Sequence, residues 1–469
     1  MKQQAFNPFL PGWEYIPDGE PHIFGDRVYL YGSHDRFGGD NYCLNNYVCW
    51  SAPVTDLSDW TFHGEIYDVT KDPLNESGEF CGYAPDCCKG PDGRYYLYYA
   101  LNNHLAMSVA VCDTPAGRFE FLGHMKTSDG RVYGTCEGDA YVFDPGVIVD
   151  DDGRIHLYMG FCPTDGMMDS DFARFLSRWK NDGCHHIELC DDMVTMKTSP
   201  TLVLPGCIAS AGTTFEGHAF FEAPSIRKFI GKYYFIYSSE HFQELCYAVS
   251  ESPVGPFEYK GRLVSNGDIG IDGRTSPSNH IGNNHGSLIE IEGKYYIFYH
   301  RHTNDTDFSR QACAEEIHLD EKGEFIQAEI TSCGLNGGPL KAAGEYKAGI
   351  ACSLSVNIEK APYVTQNGID REERDDQYVK GLTDGAFAGY KYFDFKGGEH
   401  IAVTVACDGD GYIEISETED GAAFASVKLE TSAKPVEYIA DKTALAGIKA
   451  LYFRYKGRCS CDIISFSIF

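Results

Sequence analysis

Basic residues are scarce in this chain: 39 Lys and Arg stand against 69 Asp and Glu, a formal charge of −30 over 469 residues. A surface of that sign repels phosphate backbones and anionic lipid, which argues against nucleic-acid and membrane partners and favours a neutral substrate. Apolar runs of membrane-spanning length are missing as well. Residues 1–8 lack an apolar core and a small-residue cleavage pattern, so no secretion signal and a cytoplasmic address are expected. The 18 Cys contain no pair of CxxC motifs, and Cys87-Cys88 and Cys459-Ser460-Cys461 have the wrong spacing for structural zinc. A chain this long needs no disulfide staples, so the thiols read as small, reduced hydrophobes. Methionine is rare at 8 residues, whereas 31 Tyr and 29 Phe favour strands. Helical periodicity is equally scarce; only 172–178 and 312–318 read as single turns.

What is present is a repeat. Phe220-Phe221-Glu222-Ala223-Pro224 leads through a short apolar strand to Gly231-Lys232, then to the aromatic strand Tyr233-Tyr234-Phe235-Ile236-Tyr237. This is a polar group at a strand start, a hairpin, and a strand of alternating character. Four further copies turn at Gly25, Gly93, Gly153 and Gly293. A period of roughly 60–80 residues with several strands per unit marks a radial array, and a five-bladed β-propeller is the expected form. Seven to nine residues before the glycines stand Asp18, Asp86, Asp144, Glu222 and His285. If these segments are the innermost strands, four carboxyl groups and one imidazole converge on one end of the channel. Such crowding is costly unless the groups do chemistry or hold a cation.

The longest interval between hairpins holds residues 165–171, expected as a loop on the rim of the site. After the fifth hairpin, Arg301-His302-Thr303-Asn304 reads equally as a substrate-facing loop or a solvated turn. The repeat fades at Leu335-Asn336-Gly337-Gly338-Pro339, a Gly/Pro linker. From Tyr346 onward short alternating strands replace it. The expected organisation is all-β: a propeller over 1–340 and a β-sandwich, of jelly-roll type, over 346–469.

Asn7-Pro8, Pro17-Asp18, Phe143-Asp144-Pro145-Gly146, Phe221-Glu222-Ala223-Pro224 and Asn284-His285-Gly286-Ser287 resemble the blade-start motifs of glycoside hydrolase family 43. That resemblance implies a five-bladed propeller that cleaves arabinosides and xylosides with inversion. It places the general base on Asp18, the orienting and pKa-tuning carboxylate on Asp144, and the general acid on Glu222. His285 matches an axial His beside a central calcium or its water shell, and Arg310 an Arg that contacts the terminal sugar. Asp86 has no catalytic counterpart and is expected to accept a sugar hydroxyl. The first motif departs from the pattern: Asp18-Gly19-Glu20-Pro21 makes Glu20 a competing base. Asp18 is favoured, because a residue two positions on shares its face only if the turn is already extended.

The tail, through Asp375-Asp376-Gln377-Tyr378, Gly389-Tyr390-Lys391-Tyr392-Phe393 and Asp462-Ile463-Ile464, resembles a family 6-like carbohydrate-binding module. Such a module implies a structural calcium with Asp462 as one ligand. The resulting expectation is an inverting exo-hydrolase that removes α-L-arabinofuranosyl groups from arabinoxylan-type oligosaccharides. A β-xylosidase and a non-catalytic sugar-binding propeller are the alternatives. Glu222 is expected to stay protonated and Asp144 ionised. Calcium is the only cofactor expected, with no organic cofactor and no obligate protein partner.

Overall fold

The computed structural model describes residues 3–164, 167, 176–440 and 443–469. The expected rim loop at 165–171, apart from Met167, and most of the expected turn at 172–178 lie outside the described residues. Alternating apolar and aromatic residues build five sheets in succession, each an antiparallel meander. The first holds Glu20–Phe24, Arg27–Tyr31, Tyr47–Pro53 and Thr61–Tyr67. The second, third and fourth also have four strands and begin with Gly82–Lys89, Gly146–Val149 and Phe220–Phe229. The fifth has Leu288–Ile291, Lys294–His302 and Arg310–Ile317. The turn expected at 312–318 is therefore strand, because Ala312, Ala314 and Ile317 bury into the blade rather than along a helical face.

The N-terminal segment completes the fifth blade. Asn7 bonds to Ala314 twice through its side chain, giving Nδ2–H to the carbonyl and accepting the amide N–H, each at 3.0 Å. Gly19 and Gly286 pair in a parallel bridge between the first and last blades. These contacts close the ring and leave no free edge between its ends. Wedges of apolar side chains fill the spaces between blades, such as Tyr98, Val109, Leu157 and Ile187 between blades two and three. Each such side chain contributes about 1.5–3 kcal/mol by leaving water.

Two six-stranded sheets follow. Phe387–Phe395 and Gly447–Gly457 centre one, Ile401–Cys407 and Cys461–Ile468 the other. Tyr390, Phe393, Phe453 and Phe466 pack between them. The fold is a five-bladed β-propeller followed by a β-sandwich. The two parts are joined by buried charge: Lys391 Nζ lies 3.0 Å from Asp268 and 2.8 Å from Glu329. Asp462 accepts a bond from the Gly381 N–H at 2.8 Å. It belongs to neither cluster of metal-ligating side chains found among the described residues.

Candidate active site

Three of the inner-strand entries depart from ordinary β geometry. Asp18 and Asp144 have φ of 57° and 43°, and Ala223, next to Glu222, has 63°. Left-handed backbone at non-glycine residues costs energy and persists where the surrounding fold over-determines it. Here it turns the strand starts so that Asp18, Asp144 and Glu222 line one cavity of about 540 Å³. His285 and Arg310 line it too, and Tyr42, Tyr83, Phe143, Phe161 and Phe221 form its aromatic walls. The volume is that of a small-ligand site rather than a surface dent.

Arg310 is buried and forked. Its Nε and Nη2 bond to the two oxygens of Asp35 at 2.9 and 3.0 Å, and its Nη1 reaches Asp18 Oδ1 at 3.0 Å. Tyr42 lies against its guanidinium, 4.8 Å from carbon to ring centroid. His300 supports the backbone of Asp18 from the fifth blade. Its Nε2–H donates to the Asn283 carbonyl at 2.7 Å, so Nδ1 is free to accept the Asp18 amide N–H at 3.3 Å. Asp144 Oδ2 accepts the Ala223 N–H at 3.1 Å, which ties the third blade to the fourth beside Glu222.

The family model for glycosyl hydrolases family 43 matches residues 7–325. The chain belongs to that family. A xylosidase/arabinosidase of Thermoclostridium stercorarium is 47% identical over 100% of this chain and 99% of its own. A β-xylosidase of Xylanibacter ruminicola is 27% identical, covering 66% of this chain and 96% of its own. A family 43 arabinoxylan arabinofuranohydrolase from Bacillus subtilis, solved in complex with cellotetraose, superposes with a TM-score of 0.53. It covers 98% of this chain and 97% of its own at 19% identity, a likeness of fold.

Within this family 43 glycoside hydrolase the carboxyl groups titrate in opposite directions. Burial and the neighbouring Asp144 charge push Glu222 well above the ordinary carboxylate range. Burial also raises Asp144, to about 7, with the Asp18 charge adding to it. Asp144 and Glu222 titrate as an interacting pair, and Glu222, the more strongly raised, holds the proton beside the Asp144 charge. Asp18 goes the other way. Burial alone would raise it, but Arg310 and His285 outweigh burial and hold it below its usual value.

Glu20 does not line the cavity. Its Oε2 is paired with Arg227 Nη2 at 2.6 Å and accepts the Ser225 hydroxyl at 3.0 Å. Despite full burial, Arg227 and His285 lower its carboxyl to about 2. Asp86 also stands apart from the cavity, which corrects its expected contact with sugar. Its oxygens are taken up by His22 Nε2 at 2.6 Å and by the N–H groups of Cys87 and Val147 at 2.7 Å each. It therefore ties the inner strands of blades one, two and three together. His285 lies 3.7 Å from Glu20 Oε1 through Nε2, and 3.7 Å from Asp144 Oδ2 through Nδ1. Burial works against its charge, but Glu20, Asp144 and Asp18 raise it to about 9.

The sequence reading missed Asp35 and His300. His300 sits one residue beyond the aromatic run that marked the fifth hairpin strand, which in fact continues through His302. Extending the two-residue alternation would have found it. Asp35 follows the first hairpin strand in a stretch without periodicity, and no local signal marks it. Arg301, which the sequence left open, is buried and donates to the Ala351 and Gly349 carbonyls at 3.0 and 2.8 Å. It joins the propeller to the sandwich.

Proposed function

We propose that this family 43 enzyme is an exo-acting, inverting α-L-arabinofuranosidase acting on arabinoxylan-type oligosaccharides. The observation that carries the reading is the contrast within one cavity between Glu222, held protonated, and Asp18, held ionised. Glycoside hydrolysis needs one carboxylic acid to protonate the leaving oxygen, and inversion needs one carboxylate to deprotonate the attacking water. Glu222 gives its proton to the glycosidic oxygen as that bond breaks. Asp18, oriented by Arg310 and His300, takes a proton from the water that attacks the anomeric carbon from the opposite face. Asp144 keeps Glu222 protonated, and its bond to the Ala223 N–H orients the adjacent strand.

The Thermoclostridium relative, a xylosidase/arabinosidase, suits either specificity, and the preference for arabinofuranosyl groups rests on the sandwich joined to the propeller. The β-xylosidase reading is favoured by the Xylanibacter relative. Hydrolysis of p-nitrophenyl α-L-arabinofuranoside and p-nitrophenyl β-D-xyloside, compared by kcat/KM, decides between them. Faster hydrolysis of the xyloside would overturn the arabinoside preference, and turnover of neither would overturn both. The 18 free cysteines suit a reducing, cytoplasmic site of action, with imported oligosaccharides as substrate.

The same reading includes a calcium ion on the propeller axis beside His285. Glu20 Oε1 and His285 Nε2 are buried, lack hydrogen-bond partners and face each other at 3.7 Å. Glu20 also forms a cluster of metal-ligating groups with His22 and Asp86. Glu20 Oε1 would hold the ion, with water completing its oxygen shell and linking it to His285, and when bound it would add positive charge beneath the sugar. Chelation with verified metal removal is expected to lower both activity and melting temperature. If both stay unchanged and metal analysis of the untreated protein finds none, the axial charge is the imidazolium of His285 alone.

The pH dependence has a definite sign. Asp18 is depressed, so kcat/KM should persist as pH falls until below the ordinary carboxylate range. Glu222 is raised, so activity should be lost as pH rises through its elevated value. In Asp144→Asn the charge that favours protonated Glu222 is gone, and the alkaline limb is expected to move to lower pH. An alkaline limb in the same place as in the wild type would remove Asp144 from that role.

A further inference from the structure

The catalytic cavity does not end at the propeller. A second cavity of about 300 Å³ shares Ile281 and Asp307 with it. A third, of about 1000 Å³, is lined largely by the sandwich and shares His280 and Asp305 with the second. Three depressions are thus linked through two short pieces of chain, residues 280–281 and the loop 302–308.

That loop is shaped by the sandwich. The Asn304 N–H donates to the Val364 carbonyl at 2.7 Å, and Thr365 Oγ1 donates to Asn304 Oδ1 at 2.8 Å. His280 Nε2 donates to the Pro362 carbonyl at 2.9 Å. Asn304 and Asp305 both take left-handed backbone, with φ of 58° and 52°. Such a conformation is kept only where neighbours hold it, and here the neighbours belong to one sandwich strand, Tyr363–Thr365. The same strand presents Tyr363 to the third cavity. Lys360, Lys380 and Arg458 line that cavity together with Glu359, Asp384 and Asp305, so these six charges balance.

We propose that this continuous groove binds the main chain that carries the scissile sugar, a neutral xylan-type oligosaccharide, with the sandwich supplying its distal subsites. The proposal rests on the glycosidase reading above and names the part of the substrate outside the catalytic cavity. Balanced donors and acceptors match sugar hydroxyls without selecting an ion, and a half-buried Tyr offers an apolar ring with a polar tip to a pyranose face. Continuity with the cavity commits the occupant to be the leaving-group side of the same substrate.

The readout is the ratio of kcat/KM on an arabinosylated xylopentaose to kcat/KM on p-nitrophenyl α-L-arabinofuranoside. In Tyr363→Ala, and in Thr306→Trp at the middle cavity, this ratio is expected to fall about tenfold, mainly through KM on the oligosaccharide. Tyr363→Phe should restore much of it, and melting curves identify any variant that has lost its fold. Xylotetraose binding, followed by calorimetry in a Glu222→Ala background with and without Tyr363→Ala or Thr306→Trp, tests the groove without turnover. Ratios equal to those of the unaltered enzyme, and xylotetraose affinities equal to that of Glu222→Ala alone, in both variants would overturn the proposal. If the unaltered enzyme hydrolyses neither substrate, the arabinosidase reading fails while xylotetraose binding still decides the groove.

Discussion

Glu222→Ala is expected to lower kcat/KM on natural oligosaccharides by about 10²–10⁴-fold, the usual contribution of a positioned general acid. On aryl glycosides with acidic leaving groups the loss should be much smaller, because a leaving phenolate needs little protonation. The structural basis is specific. Glu222 is buried among Phe221, Phe161 and Phe143 with Asp144 as its anionic neighbour, so its proton is retained at a pH where an exposed Glu would have lost it. The alkaline limb of the pH profile should vanish on aryl substrates in the same variant. Equal losses on both substrate types would mean that Glu222 does not protonate the leaving group.

Asp18→Asn should be at least as damaging, by about 10²–10⁴-fold on every substrate, since water activation is required whatever the leaving group. The amide is isosteric and still accepts from Arg310, and Arg310 keeps its fork on Asp35, so folding should survive. That separates the base from a structural ion pair, whose loss would appear in the melting curve. In Asp18→Gly, added azide, an anion that needs no base, is expected to restore turnover and yield the glycosyl azide. A structural role predicts no such rescue. Proton NMR of the first sugar released by the unaltered enzyme should show the inverted anomer. A retained anomer would make one carboxylate a nucleophile and end the inverting reading.

The competition between Asp18 and Glu20 shows how far local pattern reaches. Two positions apart on a regular strand, they would share a face, and the sequence could rank them only by asking where the strand begins. In the structure Asp18 precedes the strand Glu20–Phe24 with φ of 57°, so the two carboxylates part company. Asp18 enters the cavity, while Glu20 enters the channel and meets Arg227 from the fourth blade, more than 200 residues away in sequence. Asp86 was misplaced for a related reason. The repeat made it equivalent to the catalytic positions, but it lies beyond the register shift that starts at Tyr83, so Tyr83 and Ala84 line the cavity and Asp86 faces the neighbouring inner strands.

The sequence by itself determined the propeller, the sandwich, the family and the set of carboxylates at the strand starts. All of these rest on short-range regularities: a two-residue alternation, a glycine at each hairpin, and a motif at blade spacing. Tertiary structure alone decided which charges face one another. Arg310 joins Asp18 and Asp35, His300 accepts the Asp18 amide, and the loop 302–308 takes its shape from a sandwich strand some 60 residues later in the chain. Protonation follows from those meetings and from burial, because a carboxyl group's pKa is set by neighbours within a few ångströms, whatever their distance along the chain. Asp18 and Glu222 are both carboxylates at blade starts. The fold makes one a charged base and the other a neutral acid.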